Sequence, residues 1–308
     1  MKPQASQEIS PRSSPTQEDP SDNESLESLL ARLEKNALEE EENVAPSSEE
    51  LKAIIAGLEN DLVTGRWIDS GYAITDLKLM PALVDQANRK YPEMNLQFVL
   101  SPEEFTQALK KTIESDTKSS RFILNTGKNI HFSVIDHQTI DDQLSLVMFE
   151  PTTFDTIGGL LGLRLSQALQ DTQLPRCHFA MAEMDIQRSS SECGIYCLSL
   201  AKKLHLESQK LERLHKDNVK GVLCEPDTPV SAEKLDSYLP VSLYKHAQGR
   251  RRLEHYLKAN PEAAHEKVNK KGETVTERFE KNLKEKEGKT VSVSPHRKRI
   301  KEYKSLTI

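Results

Sequence analysis

Asp185-Ile186-Gln187-Arg188-Ser189-Ser190-Ser191-Glu192-Cys193-Gly194-Ile195, continued by Tyr196-Cys197-Leu198-Ser199-Leu200-Ala201-Lys202-Lys203-Leu204, is the stretch on which the reading of this chain turns. A serine-rich polar segment gives way at Cys193 to an apolar run too long for one strand, which reads as a buried helix starting at the cysteine. A thiol reacts as its thiolate, and a free cysteine with a pKa of about 8.5 is mostly protonated at neutral pH. The start of a helix lowers that pKa through its dipole and unpaired N–H groups, so Cys193 is expected to be an activated nucleophile. Gly194 leaves the backbone open to a substrate, and Cys197, one turn on, reads as core packing.

Upstream, Arg121–Thr126, Ile130–Asp136, Leu144–Glu150 and His178–Ile186 are short apolar or alternating runs between polar turns. They read as strands of one sheet, with a helix at Ile157–Leu169 between the third and fourth. His131 falls inside the second strand, where an imidazole among Ile130, Phe132 and Val134 is an odd choice for packing alone. Glu150 ends the next strand, so adjacent antiparallel strands would bring the two together, with histidine as general base and glutamate as its orienting partner. Gln187, six residues before the cysteine, could place its amide N–H on a developing oxyanion. This order, His…Glu…Gln-x5-Cys-Gly, resembles the ubiquitin-like-protease clan of cysteine enzymes. The fold class expected is therefore α+β, a small mixed or antiparallel central sheet flanked by helices, with a helical regulatory region.

A closer likeness rests on longer strings. The stretch from Asp185 to Leu204, Phe149-Glu150-Pro151, Tyr238-Leu239-Pro240-Val241-Ser242-Leu243-Tyr244-Lys245-His246 and Val268-Asn269-Lys270-Lys271-Gly272-Glu273-Thr274 together resemble the YopJ/AvrA family of type III secreted effectors. The resemblance spans about residues 50–305. It implies an acetyltransferase with the fold of a cysteine protease: acetyl-CoA acylates Cys193, and the acetyl group passes to Ser, Thr or Lys of a host protein. MAP kinase kinases, whose phosphorylation would be blocked, are the host partners implied. It further implies secretion by a type III system into the host cytoplasm, with a secretion chaperone and the apparatus itself as further partners. Activation by inositol hexakisphosphate is implied, and autoacetylation at Lys245.

Charge agrees with a polyanion-binding chain. Residues 1–50 hold 13 Asp/Glu against 4 Lys/Arg, whereas from Leu243 to the end there are 18 Lys/Arg against 9 Asp/Glu. Lys245, His246 and Arg278 are the candidates for the polyanion, and Arg188, Lys202 and Lys203 for the phosphates of CoA. The domains expected are a disordered head at 1–45, where Leu26, Leu29, Leu30 and Leu33 could form a short helix on a partner; a catalytic core with flanking N-terminal helices at 46–242; and the basic region at 243–308. Capping boxes at Ser47-x-x-Glu50 and Ser101-x-x-Glu104 mark two helices of that core.

Four cysteines without CxxC or zinc-finger spacing exclude a metal ribbon, and no metal is expected. There is no secretory leader pattern and no apolar run near the ~18 residues needed to span a membrane. Pro295-His296-Arg297-Lys298-Arg299 could pass for a nucleic-acid patch, but a solvated tail or helix is the stronger reading, and no nucleic-acid partner is expected. The same triad with water as acceptor would instead give a protease or deubiquitinase, which would have no use for a polyanion pocket. A binding protein with a vestigial triad would not keep all four of Cys193, His131, Glu150 and Gln187.

Overall fold

The alternation of apolar residues along the central strands leads directly to the observed architecture, taken from a computed structural model that describes residues 46–68, 71–125, 131–154, 156–189, 191–225, 228–286 and 288–307. The expected disordered head and its leucine-bearing segment lie outside these residues. Five strands, β1 (Leu96–Val99), β2 (Ser119–Asn125), β3 (Phe132–Ile140), β4 (Gln143–Glu150) and β5 (Cys177–Glu183), form one sheet in sequence order. The two outer pairs are parallel and the two inner pairs antiparallel, so the sheet is mixed.

Strand side chains alternate between two faces, and here both faces are covered. Phe122, Leu124, Ile135, Leu146 and Met148 pack under α3 (Pro102–Glu114) and α4 (Thr156–Thr172), with Phe105, Leu109, Leu161 and Leu165. Ile123, Phe132, Val134, Val147 and Phe149 face the other way, toward α2 (Ala73–Lys90) and α5 (Cys193–Leu206). Each of these fully buried side chains contributes about 1.5–3 kcal/mol relative to exposure. The parallel pairs require crossovers, and α3 and α4 supply them on the same face.

Ahead of the sheet, α1 (Ser48–Thr64) opens with the expected capping box: the Glu50 N–H donates to Ser47 Oγ at 3.3 Å, and the Ser47 N–H to Glu50 Oε2 at 2.7 Å. At α3 the Glu104 N–H donates to Ser101 Oγ, but the Glu104 carboxylate takes the N–H of Leu100 instead of the cap's own. The short α6 (Glu212–Val219) and α7 (Ala232–Asp236) follow α5. The basic end comprises α8 (Arg250–Ala259), α9 (Val275–Lys281), a hairpin of β6 (Leu283–Lys286) and β7 (Lys289–Ser292), and α10 (Ser294–Ser305).

Three expectations need correction. β1, at the sheet edge, was not foreseen: it is four residues long, too short to register between the left-handed Asn95 and the cap at Ser101. The hairpin interrupts a segment expected to be mainly helical. The Pro295–Arg299 run is helical but not solvated. His296 and Arg299 are fully buried, the His296 Nε2 meeting the Leu58 carbonyl at 2.9 Å, because α10 packs back against α1 and α5.

Candidate active site

β3 and β4 deliver two of the predicted side chains to the same place. His131 lies just before β3, beyond the last β2–β3 pair at Asn125–Phe132, and not inside a strand as expected. Past the ladder its side chain is committed to neither face, and its Nε2 reaches Glu150 Oε2 at 2.7 Å. Glu150, the last residue of β4, is fully buried. Oε2 also accepts from Ser133 Oγ at 2.9 Å, while Oε1 accepts from the Thr152 N–H at 3.1 Å and Thr152 Oγ1 at 2.9 Å. A buried carboxylate is tolerated when its lone pairs are filled, and here each oxygen has two donors. Gly158, early in α4, leaves room for it: a Cβ there would stand 3.2 Å from Glu150 Oε2.

Cys193 is the first residue of α5, only 2% exposed, and the backbone N–H groups of Phe132 and Gly194 donate to its sulfur. Because Phe132 directly follows His131, those bonds bring the thiol to the histidine's end of the sheet. The expected lowering of the thiol pKa is not found. Burial pushes it up to about 12, and the two N–H groups offset only part of the desolvation. The side chain at rest is therefore a thiol that needs a base at the moment of attack.

Gln187 lies beyond β5 and is tied to the triad's own strand end: its N–H donates to the Pro151 carbonyl at 3.0 Å. Its side-chain amide donates to the Ser189 carbonyl at 2.5 Å, and its buried Oε1 has no hydrogen-bond partner among the described residues.

Of the bases assigned to CoA, each is held by a carboxylate of the chain. Arg188 is paired with Asp185 at 2.6 Å, Lys202 with Glu302 at 2.7 Å, and Lys203 with Glu207 at 3.6 Å. Lys245, His246 and Arg278 do converge. The Arg278 Nε donates to the Lys245 carbonyl at 3.1 Å, and Ser294 Oγ bonds both Arg278 and His246 Nδ1, at 3.0 and 2.8 Å. Burial, then the neighbouring Lys298, Lys203, Arg278 and Lys301, draws the Lys245 amine down to about 7. His246 is buried, held well below the usual imidazole range by burial, then by Lys245, Arg278, Lys298 and Lys203, and its Nε2 has no hydrogen-bond partner among the described residues. Such a knot of mutually repelling, desolvated donors fits a polyanion. Lys298 and Lys301 are not among the expected residues because the run from Pro295 reads as a solvated tail or helix; their spacing of three is the signal the sequence offers.

Two other features carry no chemistry for this site. Ser145, His215 and Asp136 are hydrogen-bonded in series at 2.8 and 3.0 Å, but all are fully buried, with Asn218 on the hydroxyl and Arg121 on the carboxylate. They are packing between β3, β4 and α6. A cavity of about 530 Å³ beside β5, α4 and the end of α6 has no Lys or Arg in its lining, which rules it out as a phosphate site. Among the described residues no helix is long and apolar enough to cross a membrane.

Known proteins share this sequence and fold. The sequence model of the YopJ serine/threonine acetyltransferase family matches residues 51–305. The serine/threonine-protein acetyltransferase YopJ of Yersinia pestis is 51% identical over 270 residues, covering 87% of this chain and 94% of its own. YopJ of Yersinia pseudotuberculosis is 50% identical over the same shares. The structure of AvrA delL154 with IP6 and CoA superposes with a TM-score of 0.82 at 48% identity, over 85% of this chain and 98% of that one. HopZ1a in complex with IP6, at 19% identity and a TM-score of 0.69, shares the fold over 90% of this chain and 97% of its own. The chain belongs to the YopJ family of serine/threonine acetyltransferases.

Proposed function

We propose that this acetyltransferase works through an acetyl-cysteine on Cys193. The observation that carries the reading is the 2.7 Å contact of His131 Nε2 with a saturated, buried Glu150, beside the sulfur that Phe132 holds. With Nε2 committed to the carboxylate, Nδ1 is the ring atom on which we place the thiol's proton. As that proton moves to His131, the sulfur bonds the acetyl carbon of acetyl-CoA and the carbon–sulfur bond to CoA breaks. The departing CoA thiolate takes the proton from the imidazolium. In the second half, a Ser or Thr hydroxyl gives its proton to His131 and attacks the acetyl-cysteine. The new ester bond forms, the bond to Cys193 breaks, and the sulfur recovers the proton. The oxyanion role is proposed for the side-chain amide of Gln187, which would turn an N–H from the Ser189 carbonyl to the developing charge, since its backbone N–H is held by Pro151. Glu150 keeps the imidazole oriented and stabilises its charged form.

The acceptors are proposed to be Ser, Thr and Lys of host signalling proteins, MAP kinase kinases first, reached after type III delivery to the host cytoplasm. Inositol hexakisphosphate is proposed as activator at Lys245, His246 and Arg278, joined by Lys298 and Lys301. Arg188, Lys202 and Lys203 are proposed to meet CoA phosphates by exchanging their internal carboxylates. An amine drawn down to about 7 is half deprotonated at neutral pH, which supports Lys245 as its own acetylation target.

Incubation with labelled acetyl-CoA, inositol hexakisphosphate and a kinase acceptor, followed by mass spectrometry, tests the mechanism. Label should appear on Cys193 and pass to the acceptor, and Cys193→Ala should abolish transfer while the fold persists. Undiminished transfer by the alanine variant, or release of cleaved acceptor peptide instead of acetylated protein, would overturn it.

A further inference from the structure

The residue immediately before the nucleophile is a buried glutamate. Glu192 is 1% exposed, and its Oε2 accepts from Ser189 Oγ and from Gln248 Nε2, each at 2.5 Å. Gln248 is itself buried, and its carbonyl oxygen takes the N–H groups of Arg188 and Ser189 at 2.6 and 3.1 Å. One side chain from beyond residue 243 thus holds both flanks of the approach to Cys193. Its own N–H is anchored on the Ile186 carbonyl at 2.9 Å, next to Gln187.

A second hold comes from α10. Arg299 is fully buried, makes a two-pronged pair with Asp76 at 3.0 Å per arm, and donates to the Ser191 carbonyl at 2.6 Å. Tyr303, one turn on, donates to the same Asp76. Asp76 in turn lies against Gly194, where a Cβ would come within 3.0 Å of it. The remaining Arg299 nitrogen, Nη1, stands 3.8 Å from Glu192 Oε1, and neither atom has a hydrogen-bond partner among the described residues. The grip on Glu192 is one hydrogen bond short of complete.

We propose that Gln248 and Arg299 are positioning residues for the acetyl-transfer step: Gln248 through Glu192, and Arg299 through Ser191 and Asp76, set where Cys193 stands relative to His131. They touch no reacting atom. Both come from the segment that carries the basic cluster. Gln248 lies two residues after His246, whose carbonyl accepts from Tyr196 of α5 at 2.6 Å, and Arg299 follows Lys298. The inference rests on Cys193 being the acetyl carrier.

The test is a charge swap. Gln248→Glu keeps the size and the acceptor for Arg188 and Ser189 but sets a carboxylate against Glu192. Glu192→Gln alone removes the charge that the pair is built around. The double variant restores one amide facing one carboxylate. Contacting residues typically couple strongly enough that Gln248→Glu should lower kcat by about 10- to 100-fold, with KM for acetyl-CoA within about 3-fold. The double variant should recover at least about tenfold of that loss. Iodoacetamide labelling of Cys193, read without any acetyl donor, should slow and recover in the same order. Wild-type kcat in Gln248→Glu, or no recovery in the double variant, overturns the proposal. So does a loss that simply follows melting temperature across Gln248→Glu, Gln248→Met and Glu192→Gln, since Gln248 would then only support the fold. If acetyl transfer instead survives Cys193→Ala, the acetyl-cysteine reading fails, and the labelling rates still decide whether Gln248 places the thiol.

Discussion

Glu150 and Lys245 are both charged groups drawn out of water, and the chain treats them in opposite ways. Around Glu150 every lone pair is met from within a few residues of the same sheet edge, by His131, Ser133 and Thr152. Around Lys245 the neighbours are Lys203, Arg278, Lys298 and Lys301, and the adjacent His246 keeps a buried nitrogen without a hydrogen-bond partner among the described residues. The first group has its charge met within the chain. The second stands among like charges that Glu207, Glu273 and Glu302 offset only in part, since the Lys245 amine is still drawn down to about 7. A saturated carboxylate and a strained cationic cluster in one chain are what the proposed activation by a polyanion calls for.

The largest effect should come from breaking the saturated site. His131→Ala removes the base for a thiol raised to about 12 and should lower kcat/KM by about a thousandfold or more, measured as acetyl transfer with saturating polyanion. Glu150→Gln keeps the shape but should still cost about a hundredfold, because its amide repels one of the donors now bonded to it and the imidazole loses its anionic partner. Near-normal turnover in His131→Ala would mean that another group takes the proton.

Breaking the strained site should act on activation and leave the triad geometry alone. At inositol hexakisphosphate concentrations about 100 times Kd, a single site adds about 2.7 kcal/mol to wild-type stability, some 5–10 °C in melting temperature for a chain of this size. Lys245→Met with Arg278→Met should lose most of that shift, and 1 M salt should blunt it in the wild type, where the Debye length falls to about 3 Å. An unchanged shift in the double variant would place the polyanion elsewhere.

The smallest effect sharpens the comparison through pH. Lys245 sits at about 7 in the folded chain, down from its usual 10.5, so between those values the unfolded chain binds more protons than the folded one. Stability from this group therefore rises with pH from 7 upward. As pH nears 9 the raised thiols of Cys177, Cys193, Cys197 and Cys224 work in the opposite sense, since there the folded chain keeps the extra protons. Without polyanion the melting temperature should climb by a few degrees from pH 7 to 8. With polyanion, which restores the lysine's charge, the climb should flatten. A flat profile in both conditions would remove the claim that Lys245 is strained by its neighbours.

The sheet was legible in the sequence because its strands are apolar on both faces, so that β2 to β5 stand out as runs within four residues of their observed ends. His131 and Glu150 were legible because a polar group in such a run needs a reason. The thiol's environment was not: a helix start is visible as a pattern, but the burial that outweighs it depends on α2 and on the approach of Phe132. Arg299 and Gln248 were invisible for a related cause. A basic stretch reads as solvated until its acids are known, and Asp76 lies 223 residues away from Arg299. The charge count of the last segment likewise overstates its repulsion, since Arg252 is paired with Asp236, Lys298 with Glu302, and Arg250 with Glu280.

The strand order has a consequence for when the enzyme becomes one. All five strands are neighbours in sequence, so the sheet closes only short loops and can assemble in the order in which the chain emerges. The hold on Ser191 and Asp76, by contrast, waits for residue 299 of 308. A growing or re-threaded chain will therefore possess its core, its histidine and its cysteine well before the cysteine is locked in place.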